Sequence, residues 1–306
     1  MPGCSRSVSG IPASSTDRRK SERRRGEQRR DFMTIHRETW NRLTNSERVD
    51  LALAVRRSLP VPFAFSGIRT FQYGEQENSL AVFNYDNSEF VLIPGDTVRL
   101  GYEWERPFPL TAEQAELWEI ALEEFETPMS FDDYLEEIMT PPRDVSLDAF
   151  LLETKIKQLI DQKLKGVSVD ESEPFPHHAR ARAQLASQGF RLPISDEWEY
   201  ACGAGVRTLY RWGEDAPMDW SPSEDRGWLQ SRPNAFGLTI ANNPWQWEAI
   251  HEPGFRRGGD GGGMSCGGGM PYMLEWLLLA TAYIDKEDFD RPVLGDDVRR
   301  ALTVEL

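Results

Sequence analysis

Cysteine and histidine are scarce in this chain: of 306 residues, three are cysteine (Cys4, Cys202, Cys266) and four are histidine (His36, His177, His178, His251). Three cysteines far apart in sequence cannot all pair with one another, which excludes a disulfide-stapled scaffold and points to a reducing compartment, the cytoplasm. Long apolar runs are also missing. The longest, around Met273–Tyr283, is interrupted by Glu275 and falls short of the roughly 18 residues that span a bilayer, so no membrane partner is expected. The N-terminus has no apolar core of a secretory signal. The glycine tract Gly254–Gly269 lacks the Gly-Lys-Ser/Thr ending of a phosphate-binding loop, and the acidic stretch 103–137 contains no Asp-x-Asp-x-Asp-Gly calcium loop.

Apolar material is present in quantity. Hydrophobic residues make up 39% and aromatics 11%, with ten tryptophans, enough for a substantial core and incompatible with a wholly disordered chain. The formal charge of −15 is unevenly spread. Residues 1–30 hold nine basic and three acidic residues, for a net +6, and contain the run RRKSERRRGEQRR. With little to bury, residues 1–35 read as a disordered basic tail, and the 18–30 run as a candidate contact for nucleic-acid phosphates or an import signal. A solvated tail is the plainer alternative. Met33 stands just ahead of the first helix-forming stretch, where a shorter product would begin.

Residues 36–89 read as an N-terminal extension of helix and strands packed on the main domain. Thr44 with Glu47 forms a capping box, Val49, Ala52, Leu53 and Ala54 give the helix an apolar side, and Pro60 ends it. The β-branched and aromatic segments FAFSGIRTFQY, SLAVFNY and EFVLIPGDTVRLGY read as strands, with turns at Gly74-Glu75, Asp86-Asn87 and Pro94-Gly95. Residues 103–137 carry twelve acidic residues against one basic, Arg106. Thr111 with Gln114 caps a helix whose stripe is Leu117, Trp118, Ala121, Leu122 and Phe125, and a second helix is expected from about Ser130 to Met139. Its acidic face reads as solvated surface, with a docking surface or cation site as the alternative. Farther on, RDVSLDAFLLET reads as a strand, KIKQLIDQKL as a helix, and ARARAQLASQGF as a helix ended by Gly189.

Beyond Arg191 a series of motifs is identifiable. RLPISDEWEYACGAG (Arg191–Gly205), Tyr210-Arg211-Trp212-Gly213-Glu214, Pro233-Asn234-Ala235-Phe236-Gly237-Leu238, Asn242-Asn243-Pro244-Trp245-Gln246-Trp247 and Arg257-Gly258-Gly259 follow in order, with Phe90-Val91-Leu92-Ile93-Pro94-Gly95 upstream. Together they resemble the signature of the formylglycine-generating enzyme, or sulfatase-modifying factor, family. The resemblance covers about 90–306 and implies an α+β, C-type-lectin-like fold with little regular secondary structure, into which 103–140 is an acidic helical insertion. Arg191 and Glu199 are then expected to form a buried ion pair, and Trp198, Trp212, Trp245 and Trp247 to fill the core.

The family's oxidase members hold copper with two cysteines spaced C-x4-C after the Arg-Gly-Gly motif, since soft Cu(I) favours sulfur. Here Cys266 falls near the first position and Pro271 occupies the second, which argues against copper. Cys202 reads as a small buried residue. Asn243 and Gln246 match a calcium site of the family with one carboxylate lost, so calcium is the metal these positions could still hold. A related iron-dependent branch binds its metal through histidines; the four here read as isolated. The glycine tract has nine glycines in sixteen residues and reads as a flexible loop or as backbone shaped around a ligand.

Two functional readings follow. In the first, the chain is a non-oxidase domain that binds a protein or small-molecule ligand through Trp245, Trp247, Arg257, Gly258 and Gly259. In the second, it is an enzyme of the same superfamily with altered thiol- or metal-based oxidative chemistry, using Cys266, Asp260 and His251.

Overall fold

A computed structural model of the chain describes residues 35–124, 129–158, 172, 174–264, 270–286 and 297–306. The basic tail, Phe125 and Cys266 lie outside the described residues. The architecture is mixed α+β, with mostly antiparallel sheets and short helices. No described helix is long and apolar enough to cross a membrane.

Two helices, α1 (Arg37–Arg42) and α2 (Asn45–Ser58), precede strands β1 (Ala64–Tyr73), β2 (Gln76–Tyr85) and β3 (Ser88–Ile93). The capping box at Thr44 and Glu47 is formed, each residue satisfying the other's backbone donor. The Asp86-Asn87 turn carries both residues at positive φ, 47° and 55°, the conformation a two-residue hairpin requires and Asp and Asn tolerate. These strands join β6 (Phe150–Glu153) and β12 (Ala301–Thr303) in one antiparallel sheet ordered β1-β2-β3-β6-β12. Residues on either side of position 90 therefore share a sheet.

That sheet is covered on both faces. Successive side chains of β3 point to opposite sides, so Phe90 and Leu92 pack with Trp40, Ala52, Val55 and Phe190, whereas Val91 and Ile93 pack with Trp198, Tyr200, Phe236 and Leu238. This explains why β3 reads as a continuous apolar run rather than an alternating one. Helix α5 (Pro176–Ser187) starts ahead of the expected segment, with Pro176 in the first turn. It ends before Gly189, at φ +81°.

RDVSLDAFLLET forms two strands, β5 (Arg143–Leu147) and β6, rather than one. The break lets the chain pass around Gly95, where a Cβ would stand 2.3 Å from the Leu147 carbonyl oxygen. The expected helix KIKQLIDQKL instead begins with the two-residue strand β7 (Lys157–Gln158), which pairs with β11 (Asp297–Val298); its residues from 159 onward lie outside the described residues. Partner pairing across the sheet overrides the local helical pattern.

The acidic segment is bounded by a neck. β4 (Asp96–Leu100) pairs antiparallel with β5, and between them α3 (Ala112–Glu124) and α4 (Phe131–Ile138) project. Thr111 and Gln114 exchange the expected capping bonds, and Ser130 caps α4 with Asp133. Trp118, Ala121, Phe131, Tyr134 and Leu135 turn inward onto Leu209, Tyr210, Trp276 and Leu277. The insertion thus shares a third core with the C-terminal segment. In that core Trp212, Trp220, Trp228 and Trp276 meet edge to face at centroid separations of 5.0–6.3 Å.

Candidate functional site

The motif-bearing half is organised by buried charge. Helix α6 (Ser195–Gly203) buries every residue from Glu197 to Gly203. Glu199 accepts from the Gly101 amide, the Thr140 hydroxyl, Arg143 and Arg257. Burial works to raise its pKa, but Arg257 and Arg143 with the Gly101 amide outweigh it and hold the carboxyl below its ordinary value. The expected Arg191–Glu199 pair does not form. Arg191 makes a bidentate pair with Glu197, at 2.6 Å through each nitrogen. The reason is helical geometry: residues two apart on a helix point about 200° away from each other. Glu197 therefore faces Arg191, which bridges to Ala301, while Glu199 faces the neck of the insertion.

Glu248, on β8 (Glu248–Ala249), accepts from the Trp198 indole and from Arg299 through two nitrogens. Glu153 does the same for Arg300, whose guanidinium lies 4.8 Å from the Phe190 ring centroid. These interiors are wired by charge because the loops between elements present carbonyls and amides that only hydrogen-bonded groups can satisfy.

Next to this network lie two linked turns, 243–247 and 259–264. Asn243 folds into a turn, its side-chain oxygen accepting the Trp245 amide at 3.0 Å and its carbonyl oxygen accepting the Gln246 amide. The Asp260 amide then donates to the Pro244 carbonyl oxygen at 3.0 Å, tying the glycine turn to the tryptophan turn. Gly259, at φ +151°, has no room for a Cβ, which would stand 2.2 Å from the Gln246 carbonyl oxygen. Gly262, at φ +85°, lies under the Trp245 ring, where a Cβ would be 2.3 Å from Cε3. The Asp260 carboxylate accepts the Gly262 amide at 2.8 Å and the Met264 amide at 2.6 Å. Burial raises its pKa, and those amides oppose the rise.

Trp245 is 49% exposed, one ring face on the glycine turn and the remainder in solvent. Trp247 is covered by Arg256, whose guanidinium lies 4.3 Å from its ring centroid. Arg257, Gly258 and Gly259 are buried. Arg257 donates to the Tyr283 carbonyl oxygen, the Ser195 hydroxyl and Glu199 through its two terminal nitrogens, and its buried Nε has no hydrogen-bond partner among the described residues. It does not reach solvent. Of the five residues assigned to ligand contact from sequence, Trp245 is the one presented outward.

The proposed catalytic residues take separate partners. His251 donates its backbone amide to the Pro193 carbonyl oxygen, and its Nε2 lies 3.3 Å from Arg182 on α5. Burial, with the Arg182 guanidinium, holds its imidazole below the usual pKa. Asp260 serves its own turn, and Cys266 is outside the described residues. Among the described residues no group of three or more His, Cys, Asp and Glu is arranged to hold a metal ion. The Asn243 oxygen that would ligate calcium is engaged by the Trp245 amide, and Gln246 stands beside it in the same turn. Cys202 is wholly buried in the core, as expected, and burial pushes its thiol up to about 12. Pro271, standing where a second copper cysteine would be, is buried at the N-cap of α7 (Tyr272–Leu277).

One feature had no sequence signal. A cavity of about 620 Å³ opens between the acidic insertion and strands β9 (Phe255–Arg257) and β10 (Asp285–Lys286). Its walls come from segments far apart in sequence, so no spacing announces them. No protein-family model matches the chain, and no curated protein matches it.

Proposed function

We propose that this chain is a divergent relative of the formylglycine-generating enzymes that works as a ligand- or protein-binding domain, without the two-cysteine copper site, and that Trp245 is its principal contact. The exposed Trp245 on its pre-shaped glycine turn carries this reading. An aromatic ring fixed on one face and open on the other offers contact area without a large ordering cost on binding. Asn243, Asp260 and Gly262 are spent on holding that ring. Gly262 lies directly under the ring, and Gly259 packs against the Pro244 and Gln246 carbonyls of the same turn, which is the arrangement a binding surface needs to stay in register.

The loss of oxidase chemistry is supported by Pro271, which offers no ligand and instead starts α7. The ordered motifs from Phe90 to Gly259 support the kinship, and a two-sided sheet followed by a loop-rich half is consistent with it. Metal analysis of the purified full chain tests the reading, together with the Cys266→Ser variant. The expected result is no stoichiometric copper in either protein. Stoichiometric copper in the wild type that is lost in Cys266→Ser would overturn it.

A further inference from the structure

We propose that the cavity between the acidic insertion and the β9–β10 edge is a second binding site, for a small molecule with an aromatic body and a carboxylate group. Its volume of about 620 Å³ is in the usual range for small-molecule sites, and its lining has the expected make-up, mostly apolar with a few polar groups. Trp104, Met139, Pro141, Pro142, Phe255 and Ile284 supply the apolar walls. Phe255 is 37% exposed there, a large ring left at the surface of β9 although its neighbours Arg256 and Arg257 are buried.

The polar groups of the lining are mostly spoken for. The Trp104 indole donates to Asp132 at 2.6 Å, the Tyr102 hydroxyl to Glu214 at 3.1 Å, and the Thr140 hydroxyl to Glu199 at 2.8 Å. Arg106 lies over the Trp104 ring and pairs with Glu136, so that this rim is neutral overall. Glu103 is matched by Arg99 and Arg207 at 3.5 and 3.6 Å. Lys286 differs. Its ammonium donates to the Glu137 backbone carbonyl at 2.6 Å and is in no ion pair among the described residues.

An ammonium that gives one hydrogen bond to a carbonyl has two further donors for an acceptor. Among the described residues, the cavity therefore has one cation outside any ion pair above its aromatic and proline walls. A carboxylate on the ligand would complete Lys286 by a charge-assisted hydrogen bond, while its ring system displaces water from Phe255 and Trp104. A cationic ligand would instead meet Lys286, with every described carboxylate of the lining already paired to an arginine. Because the insertion and the sheet edge both form the walls, the site exists only where the insertion is docked.

The test is calorimetric titration of the full chain with three probes of one shape: 1-naphthoate, neutral 1-naphthalenemethanol and cationic 1-naphthylmethylammonium. Naphthoate is expected to bind saturably, at least about tenfold more tightly than the cation. In Lys286→Gln, an exposed position whose change leaves the fold intact, naphthoate affinity should fall about tenfold while the neutral probe is unaffected. Phe255→Ala should weaken naphthoate and the alcohol alike. Absence of saturable naphthoate binding below about millimolar concentration, equal binding of the cation, or indifference to Lys286→Gln would each overturn the site. Trp245→Ala separates this site from the one proposed above. Naphthoate binding is expected to be retained in that variant, and its loss would place the probe at the Trp245 turn and overturn this assignment.

Discussion

The Arg257 guanidinium donates to the Glu199 carboxylate at 2.9 Å, with both side chains essentially inaccessible to water. One partner comes from the Arg-Gly-Gly motif and the other from helix α6, and the same carboxylate holds the neck of the insertion through Gly101, Thr140 and Arg143. A single acid thus fastens the glycine-turn face and the acidic insertion to one point in the core.

Removing that acid should be severe. Glu199→Ala leaves Arg257 and Arg143 without their shared counter-charge, and breaking a buried pair in this way costs about 3–5 kcal/mol. Urea unfolding of the variant should show a correspondingly lower midpoint. A loss below about 1 kcal/mol would mean that solvent reaches these charges.

Gly262→Ala places a Cβ against the Trp245 ring at a residue held at φ +85°. The expected cost is about 1–3 kcal/mol, and the Trp245 contribution to near-ultraviolet circular dichroism should change, since the ring must lift from the turn. Trp245→Ala, at an exposed position, should leave the melting temperature within about 2 °C of wild type.

Asp297 gives the chain a pH dependence. Burial, with Glu248 nearby, pushes its carboxyl up to about 6. Since its folded-state pKa is raised, its contribution to stability is complete below about pH 4 and is lost as pH rises through about 6. Asp297→Asn should therefore stabilise the protein at pH 7 by about 1 kcal/mol, after allowance for solvent screening of a half-buried group, and have little effect at pH 4. Thermal unfolding at the two pH values checks this. Equal shifts at both would point to packing and not to charge.

Burial should also make Cys202 inert. With its thiol pushed up to about 12, almost none is thiolate at pH 8. In a Cys4→Ser, Cys266→Ser background, a disulfide reagent should leave the native protein unmodified and react with one thiol only after denaturation. Prompt labelling of the native protein would show that the core around α6 opens readily.

Local chemistry was legible wherever neighbours in sequence are neighbours in space. The capping bonds at Thr44 and Thr111, the hairpin at Asp86-Asn87 and the helix end at Gly189 all obey rules that span four residues or fewer. The Arg191 partner was misplaced because the motif contains two glutamates, Glu197 and Glu199, and sequence does not say which side of the helix faces which element. Strand β7, at the start of the KIKQLIDQKL segment, is not legible in sequence because a two-residue strand gets its identity from β11, about 140 positions away.

The sequence by itself determined the mixed α+β class, the strands flanking Asp86-Asn87, the pair of helices in the acidic insertion and the burial of Cys202, since periodicity, turn residues and apolar content act locally. Only the tertiary structure decided that Arg257 is buried against Glu199 and not presented to a ligand, and that Glu199 joins insertion to core. It alone also decided that Trp104, Phe255 and Lys286 share one cavity. Those outcomes depend on which groups can exchange water for a partner from a distant segment, and no local pattern encodes that choice.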